Sequence, residues 1–229
     1  MIIAVIPARG GSKRIPNKNI REFHDKPIIG WSIEAAIEAG CFDRVIVSTD
    51  SEQISEIAKK FGAEVPFIRN QDLADDYTPT LSVISDSIQK LDCDVDYACC
   101  IYPTAPFVTP KDLNKGLKII ESKKVNYVFA ATRYNYPIQR ALKIQKNGLV
   151  SMLDPELENH RSQDLELMYH DAGQFYWGKS DAWLNQRPIF QNSCILEVPE
   201  ERSQDIDNED DWNNAEIKFK FLKKEGKLK

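Results

Sequence analysis

Short apolar runs alternate with amphipathic stretches through the first two-thirds of the chain, and this alternation constrains the fold most strongly. The runs are rich in β-branched residues and are predicted to be strands, at residues 2–6, 45–47, 65–68, 97–101 and 127–131. Between them apolar residues recur at helical spacing, as at Ile29, Ile33 and Ile37 before Gly40. Strands that alternate with helices favour an α/β fold, with a mostly parallel sheet and helices on both faces.

The alternation breaks over residues 134–168, where Pro137, Pro155 and mixed charges interrupt short apolar pieces. We expect an inserted lobe here, built from a β-hairpin and a helix that project from the sheet. Strands are predicted to return at residues 174–177 and 195–198, before a closing helix whose apolar face includes Trp212 and Phe219. Because one core can serve 229 residues, we predict a single domain over residues 1–229 that contains the lobe.

Composition excludes several classes of function. The chain has 30 Lys and Arg against 35 Asp and Glu, and a net charge of −5 disfavours general nucleic-acid binding. No apolar run approaches the roughly 18 residues of a membrane span, and the apolar start lacks the basic region and cleavage site of a signal peptide. The five cysteines show no C-x-x-C spacing. They favour neither a disulfide framework nor a zinc site, so we expect a soluble protein of the cytoplasm.

The loop after the first predicted strand carries the strongest functional signal. Ligands of open α/β sheets bind beyond the carboxyl ends of the strands, where this loop begins. Gly10 and Gly11 let backbone N–H groups approach an anion closely, and Ser12 adds a hydroxyl. Four cations lie within ten residues of a chain that is acidic overall, namely Arg9, Lys13, Arg14 and Lys18. The loop therefore predicts a site for a polyanion, although it matches neither the Walker A nor the dinucleotide-binding motif.

The stretch IPARGGSKRIPNKNI at residues 6–20 resembles the signature of the CMP-sialic acid synthetase family of sugar-activating cytidylyltransferases. The resemblance continues through FDRVIVSTD at 42–50, Arg69 with LAD at 73–75, YPTAP at 102–106 and SQDID at 203–207. Within the family, YHDAGQFYW at 169–177 is similar to the branch that activates pseudaminic acid. The resemblance implies a Rossmann-like sheet of the nucleotidyltransferase type. It also implies transfer of CMP from CTP to a nonulosonic acid, with release of pyrophosphate.

The same resemblance implies a nucleotide site. Arg9, Ser12 and Lys18 are expected to hold the triphosphate, with Lys18 nearest the reacting phosphate, while the mobile point charge of a lysine suits that place. Catalytic candidates are Arg9, Lys18 and Asp207. Further nucleotide-binding candidates are Ala8, Gly10, Gly11, Asn19, Arg69 and Thr80, of which Arg69, Thr80 and Asn19 are the candidates for cytosine. Asp50, which closes the second predicted strand, is either a site residue or the N-cap of the next helix.

Asp205 and Asp207 are candidate metal ligands. Only Ile206 separates them. On an extended segment, side chains two residues apart point the same way, so both carboxylates can meet one cation while Ile206 packs inward. Mg²⁺ takes a few carboxylates together with phosphate oxygens and water. We therefore expect Mg²⁺ as the cofactor, held between these two aspartates and bound CTP.

Sugar recognition is expected to depart from that of ordinary sialic acid enzymes. Those enzymes tend to carry two arginines for the sugar carboxylate; Arg161 fits the first, but Tyr169 and His170 stand near the second. Tyr102 stands where such enzymes usually carry Gln. Both departures favour pseudaminic acid. The candidate sugar-binding residues are Tyr102, Arg161, Gln163, His170, Asp171 and Gln174.

Two matters stay open at the level of sequence. The inserted lobe is either a lid over its own site or the arm of a homodimer in which Arg161 completes the partner's site, and we expect the dimer. The sugar is alternatively N-acetylneuraminic or legionaminic acid, or the eight-carbon acid Kdo, although the first loop of Kdo enzymes usually lacks the Gly-Gly-Ser-Lys run. A non-catalytic nucleotide-sugar sensor on the same fold is the alternative outside enzymes.

Overall fold

The computed structural model describes residues 1–75 and 77–228. These residues contain ten strands, namely β1 (Ile2–Pro7), β2 (Glu22–Phe23), β3 (Lys26–Pro27), β4 (Arg44–Ser48), β5 (Tyr97–Ile101), β6 (Tyr127–Arg133), β7 (Leu142–Ile144), β8 (Val150–Met152), β9 (Tyr169–Lys179) and β10 (Ser193–Glu197). They also contain six α-helices, namely α1 (Ile28–Ala39), α2 (Glu52–Lys60), α3 (Thr80–Gln89), α4 (Pro110–Ser122), α5 (Ser180–Leu184) and α6 (Glu209–Lys224). No helix in this part of the chain is both long and apolar enough to cross a membrane.

Six strands form the central sheet, in the order β10–β6–β9–β5–β1–β4. β1 pairs in parallel with both β4 and β5, and β6 pairs in parallel with β10. β9 runs antiparallel between β5 and β6. The predicted α/β fold with a mostly parallel sheet is confirmed. Its neighbouring strands β1 and β5 are apolar because helices cover them on both sides.

The two faces of the sheet carry separate apolar cores. Because side chains alternate along a strand, Ala4 and Ile6 of β1 face one core and Ile3 and Val5 face the other. The first core is closed by buried residues of α1, α2 and α4. The second is closed by α3 and by Trp183 of α5. Helices therefore lie on both faces, as the alternation of the sequence predicts.

A third apolar cluster brings α6 against the beginning of the chain. Phe219 of α6 packs edge-on against Phe23 of β2, with ring centroids 5.2 Å apart. Ile15, from the loop after β1, and Ile206, from the segment before α6, are both fully buried in the same cluster. The helix itself begins at a capping box formed by Asn208 and Asp211. This packing places the acidic segment 205–207 beside the basic loop.

The strand predicted at residues 65–68 is wrong. The structure has only two isolated bridges there, Ile46 with Glu64 and Thr49 with Ile68. Pro66 lies between them and has no N–H to donate, so a continuous ladder cannot form. The chain nevertheless follows the edge of β4 closely enough to deliver the next residue, Arg69, to the carboxyl end of the sheet.

The inserted lobe at residues 134–168 contains the predicted hairpin, formed by β7 and β8. The predicted helix of the lobe is wrong, since the structure has three 3-10 turns instead, at Ile138–Arg140, Pro155–Leu157 and Ser162–Asp164. Pro137 directly precedes the first of these turns, and Pro155 begins the second. Both prolines limit how far a helix can extend. Apolar side chains of the lobe are exposed, among them Tyr136, Ile144 and Val150.

Candidate active site

The loop after β1 is anchored to the end of β4. The Ala8 amide donates to the Ser48 carbonyl at 2.9 Å, which extends the pairing of β1 and β4 by one residue. The Gly10 amide donates to Oδ1 of Asp50 at 2.8 Å. A Cβ on Gly10 would lie 3.1 Å from the Cβ of Ser51, so glycine permits this close approach. The N-cap of α2 is Ser51. The prediction of Asp50 as that N-cap is therefore wrong, and the carboxylate of Asp50 instead holds the loop through the Gly10 N–H.

A left-handed residue turns the second half of the loop. Asn17 has φ 54° and precedes the 3-10 turn Lys18–Ile20. Asparagine adopts this conformation more readily than most residues. Asn19 is buried, and its Nδ2 donates to the Arg9 carbonyl at 2.9 Å. Asn19 therefore ties the two ends of the loop together and fixes the position of Lys18.

Lys18 joins the basic loop to the acidic segment before α6. Its Nζ donates to the Ile206 carbonyl at 2.6 Å and lies 3.9 Å from Oδ1 of Asp207. The other carboxylate oxygen of Asp207 lies 2.7 Å from a guanidinium nitrogen of Arg14. Ile206 is buried, as the alternation of the DID segment predicts. The structure thus brings the candidates Lys18 and Asp207 together across nearly the whole length of the chain.

Burial disfavours the charged forms of two side chains at this junction, Lys18 and Asp205. Burial lowers the pKa of Lys18, although the carboxylate of Asp207 opposes the shift. Burial raises the pKa of Asp205, and the neighbouring Asp207 raises it further. In both cases the protein surroundings disfavour the charged form. A ligand that brings negative charge to Lys18 and positive charge to Asp205 would relieve both.

A cavity of about 230 Å³ lies beside the loop, at the carboxyl ends of β1 and β5. The candidates that line it are Arg9, Ser12, Lys18, Asn19, Arg69, Thr80 and Tyr102. This is the edge of the sheet at which an open α/β fold binds its ligands. The structure therefore brings most of the predicted nucleotide-binding residues to one cavity.

Arg69 enters this cavity as a buried cation. Its backbone N–H donates to the Thr49 carbonyl at 2.8 Å, its Nε donates to Oγ of Ser48 at 3.1 Å, and a terminal nitrogen donates to the Ser48 carbonyl. Burial lowers its pKa to about 10, which leaves it charged at neutral pH. A guanidinium has five N–H donors, more than these bonds use. Arg69 is therefore a rigid donor that suits an oxygen of a bound base or phosphate.

Thr80 and Tyr102 form the far wall of the cavity. Oγ1 of Thr80, at the start of α3, lies 3.3 Å from the hydroxyl of Tyr102. The backbone of Tyr102 is held on both sides, because its N–H donates to the Gln174 carbonyl at 2.8 Å and its carbonyl accepts from Oγ of Ser32 at 2.8 Å. Burial raises the pKa of Tyr102 to about 12. Its hydroxyl therefore remains a neutral hydrogen-bonding group.

The sugar-binding candidates of β9 lie beside this wall. Oδ2 of Asp171 accepts from the hydroxyl of Tyr176 at 2.6 Å. Gln174 is buried and donates from Nε2 to the Arg202 carbonyl, while its Oε1 has no partner within the described part of the chain. A buried acceptor of this kind suits a ligand donor or a water. His170 is exposed, and its Nδ1 lies 2.9 Å from the Asp171 carbonyl oxygen.

Two sugar-binding candidates lie apart from the others, in the inserted lobe. Arg161 and Gln163 are exposed. The Nε of Arg161 lies 2.8 Å from Oδ2 of Asp164, and this pair is solvated. Neither residue is among the described residues that line the cavity. A single copy of the chain therefore does not bring Arg161 and Gln163 to the cavity.

Some lining residues were not among the site candidates predicted from the sequence, although Asp75 belongs to the LAD stretch at 73–75. Asp75 accepts from the N–H of Tyr77 at 3.0 Å, from that of Thr78 at 2.6 Å and from the Thr78 hydroxyl at 2.7 Å. Asp75 and Thr78 both line the cavity. An Asp two residues before a donor N–H is typical of an Asx turn, and this signal would have marked the segment. The other lining residues outside the prediction are Pro7, Leu73, Val83, Pro103 and Thr104.

The donor set of Asp205 and Asp207 fits a metal ion shared with a ligand. Among the described residues no group of three or more His, Cys, Asp and Glu side chains is arranged to hold a metal ion alone. Two carboxylates beside Lys18 are nevertheless enough for Mg²⁺, which usually keeps waters and takes its remaining ligands from phosphate oxygens. The arrangement can therefore hold a polyphosphate between cations and a carboxylate-bound divalent ion.

Comparisons with known proteins agree with this geometry. The family model described as cytidylyltransferase matches residues 3–220. The chain is 43% identical over 222 residues to a pseudaminic acid cytidylyltransferase of Campylobacter jejuni, with 95% of this chain and 96% of that protein covered. It is 32% identical to a CMP-N,N′-diacetyllegionaminic acid synthase of Legionella pneumophila, with 92% and 93% covered.

A solved structure supports the fold independently of sequence. The CMP:2-keto-3-deoxy-manno-octonic acid synthetase, solved in complex with CTP, matches with a TM-score of 0.71 at 16% identity. The match covers 94% of this chain and 97% of that one. The expected Rossmann-like sheet of the nucleotidyltransferase type is thereby confirmed.

Proposed function

Since the chain belongs to the cytidylyltransferase family, we propose that it transfers CMP from CTP to a nonulosonic acid, namely pseudaminic acid. The identity to the Campylobacter jejuni enzyme, 43% over nearly the whole of both chains, supports this sugar. The observation that carries the chemistry is the meeting of Lys18 with Ile206 and Asp207 beside the cavity. It supports the proposal that one triphosphate contacts both the ammonium of Lys18 and a metal ion held by Asp207.

The reaction balances as a nucleotidyl transfer. A hydroxyl oxygen of the sugar attacks the α-phosphorus of CTP and loses its proton, while the bond from the α-phosphorus to the bridging oxygen breaks. The products are the CMP-sugar, pyrophosphate and a proton. Reactions of this kind depend mainly on positioning and on neutralising the charge that develops.

The basic loop is proposed to hold the triphosphate. Arg9 and Lys18 supply charge, Ser12 supplies a hydroxyl, and the N–H groups around Gly10 and Gly11 supply neutral donors. Lys18 is proposed to lie nearest the reacting phosphate, and its hydrogen bond to the Ile206 carbonyl supports this because it holds the ammonium beside the acidic segment. Ala8 has its own N–H bonded to Ser48, so its part is to hold the start of the loop.

Mg²⁺ is proposed as the cofactor, with Asp205 and Asp207 as its protein ligands. When bound, it would neutralise charge on the triphosphate and on the leaving pyrophosphate. Arg14 lies on Asp207 in the structure and would move towards the phosphates when that carboxylate takes a metal. Cytosine is proposed to contact Arg69, with Thr80 and Asn19 beside it, because all three line the same cavity.

The sugar is proposed to lie between the cavity and β9. Tyr102 lines the cavity, the Gln174 carbonyl accepts from the Tyr102 N–H, and Asp171 is linked to this group through Tyr176. His170 adjoins Asp171. Arg161 and Gln163 are proposed to reach it from a second copy of the chain in a homodimer. The exposed apolar side chains of the lobe support this arrangement, since such patches commonly mark interfaces. We place the enzyme in the cytoplasm, where CTP is available.

Pyrophosphate release tests the proposal. The pure protein is incubated with CTP, Mg²⁺ and, separately, pseudaminic, legionaminic and N-acetylneuraminic acid, with no sugar as the control. We expect release with pseudaminic acid above both other sugars. Release with only one of the other sugars would contradict the assignment of pseudaminic acid as the substrate but would still support cytidylyl transfer. Binding of CTP without release in any mixture would contradict the enzyme and favour the sensor.

A further inference from the structure

The antiparallel strand β9 contains a large bulge that brings two distant side chains together. Asp171 pairs with Ala131 of β6, and Tyr176 pairs with Phe129. The paired positions are thus five residues apart on β9 but only two residues apart on β6. A regular strand would separate residues five apart by roughly 17 Å. Gly173 in the bulge has φ +62°, which favours glycine, and its N–H donates to Oδ1 of Asp171 at 2.9 Å.

The bulge fixes the orientation of the Asp171 carboxylate through two hydrogen bonds, one to each oxygen. Gly173 N–H holds one carboxylate oxygen, and the Tyr176 hydroxyl holds the other at 2.6 Å. Tyr176 is buried, and burial raises its pKa far above the ordinary value, so the hydroxyl keeps its proton and donates. Asp171 itself remains exposed. An ionised carboxylate has about four lone-pair sites, so these two bonds leave acceptor capacity for a ligand.

Tyr176 also connects Asp171 to the nucleotide cavity. The rings of Tyr176 and Tyr102 lie 5.3 Å apart between centroids, and the Tyr102 hydroxyl lies 3.3 Å from Oγ1 of Thr80. Both Thr80 and Tyr102 line the cavity. Asp171 is therefore joined through Tyr176 to the wall of the nucleotide cavity.

We propose that Tyr176 is a positioning residue for sugar selection, which fixes Asp171 as the acceptor for an N–H or O–H group of the nonulosonic acid. This inference rests on the proposed function. In this proposal the hydroxyl of Tyr176 acts through Asp171, and Tyr176 is not among the described residues that line the nucleotide cavity. Loss of its hydroxyl consequently weakens recognition of the sugar and leaves recognition of CTP intact.

The test removes the hydroxyl alone. In Tyr176→Phe we expect the KM for pseudaminic acid to rise roughly tenfold, the range of a hydrogen bond to a charged group, with kcat changed less and the KM for CTP within about twofold. Tyr127→Phe is the matched control. Tyr127 is equally buried in the same sheet, and its hydroxyl donates to the Arg187 carbonyl at 3.0 Å. The control should leave both KM values unchanged.

A double-mutant cycle separates positioning from general damage. Asp171→Asn concerns an exposed side chain and should raise the sugar KM by itself. If Tyr176 acts through Asp171, then adding Tyr176→Phe to Asp171→Asn has no further effect. If the two substitutions instead raise the sugar KM independently, so that their fold-changes multiply in the double variant, the inference is overturned. It is also overturned if the sugar KM of Tyr176→Phe equals that of the control Tyr127→Phe. A rise in the KM for CTP equal to that for the sugar would also overturn it.

The inference and the proposed function fail in different ways. A wild-type protein that releases no pyrophosphate with any nonulosonic acid overturns the proposed function and the inference with it. An active wild-type protein whose sugar KM is insensitive to Tyr176→Phe and Asp171→Asn overturns the inference alone.

Discussion

The ammonium of Lys18 donates a hydrogen bond to the carbonyl of Ile206 at 2.6 Å, across 188 positions of the chain. This contact closes the site, because Lys18 belongs to the basic loop after β1 and Ile206 to the acidic segment before α6. The net charge of −5 is an average that conceals these two opposed segments. Burial of Ile206 and Ile15 in one apolar cluster holds the segments together without a ligand.

Replacing Lys18 is predicted to impair the chemical step. In Lys18→Ala we expect kcat/KM for CTP to fall at least about tenfold, equivalent to about 1.4 kcal/mol of transition-state stabilisation, because no other ammonium adjoins Asp207 among the described residues. Steady-state pyrophosphate release measures this. Lys59→Ala, an exposed lysine of α2, is the control and should be unaffected. An unchanged rate in Lys18→Ala would remove its assigned role.

Loss of a metal ligand is predicted to change how CTP affinity depends on Mg²⁺. For the wild-type protein we expect calorimetry to give tighter CTP binding with Mg²⁺ than with EDTA. In Asp207→Asn this difference should shrink and turnover should fall at least about tenfold, because one carboxylate of the proposed metal site is gone. Asp210→Asn changes an exposed acid in the first turn of α6 and should retain the wild-type response. Equal CTP affinity with and without Mg²⁺ in the wild type would argue against the metal site.

A buried ion pair is predicted to stabilise the segment that leads to Asp205 and Asp207, the proposed metal ligands. Arg202 contacts Asp112 of α4, and their side chains are only 14% and 6% exposed. Arg202→Met should lower the free energy of unfolding by roughly 3–5 kcal/mol, since it leaves a buried carboxylate unpaired. Arg161→Met breaks a solvated pair, 73% and 46% exposed, and should cost less than about 1 kcal/mol. Urea denaturation compares the two variants, and equal losses would contradict this reading.

The inserted lobe is predicted to carry the dimer interface. The double variant Ile144→Glu with Val150→Glu puts charge on two side chains that are 81% and 60% exposed in the single chain. We expect light scattering to give a dimer for the wild type and a monomer for the double variant, because buried unpaired charge opposes association. Ile217→Glu on α6, 69% exposed, is the control and should remain a dimer. A monomeric wild type would contradict the dimer outright.

Local sequence patterns predicted the bounds of a strand correctly where both of its faces are covered by apolar side chains. β5 has the predicted bounds, 97–101, because an apolar run inside a sheet that helices cover on both faces is buried along almost its whole length. The segment 65–68 has the same apolar character, but Pro66 prevents a ladder. β9 begins at Tyr169, ahead of the predicted residue 174, because the bulge splits the strand into two paired parts.

The site was predictable in its residue types and less so in its contacts. The loop of glycines and cations is continuous in sequence, so its role as an anion site could be inferred from residues 7–19 alone. The contact of Lys18 with Ile206 depends on the packing of α6, and that of Asp171 with Tyr176 depends on the register of β9. Neither follows from spacing along the chain, because tertiary packing sets both.

Product analysis tests the central claim most directly. CTP, Mg²⁺ and pseudaminic acid are incubated with the protein, and the products are identified by mass spectrometry. Attack on the α-phosphorus predicts CMP joined to the sugar together with an equimolar amount of pyrophosphate. Formation of CDP and phosphate, or unchanged CTP and sugar, would contradict the account.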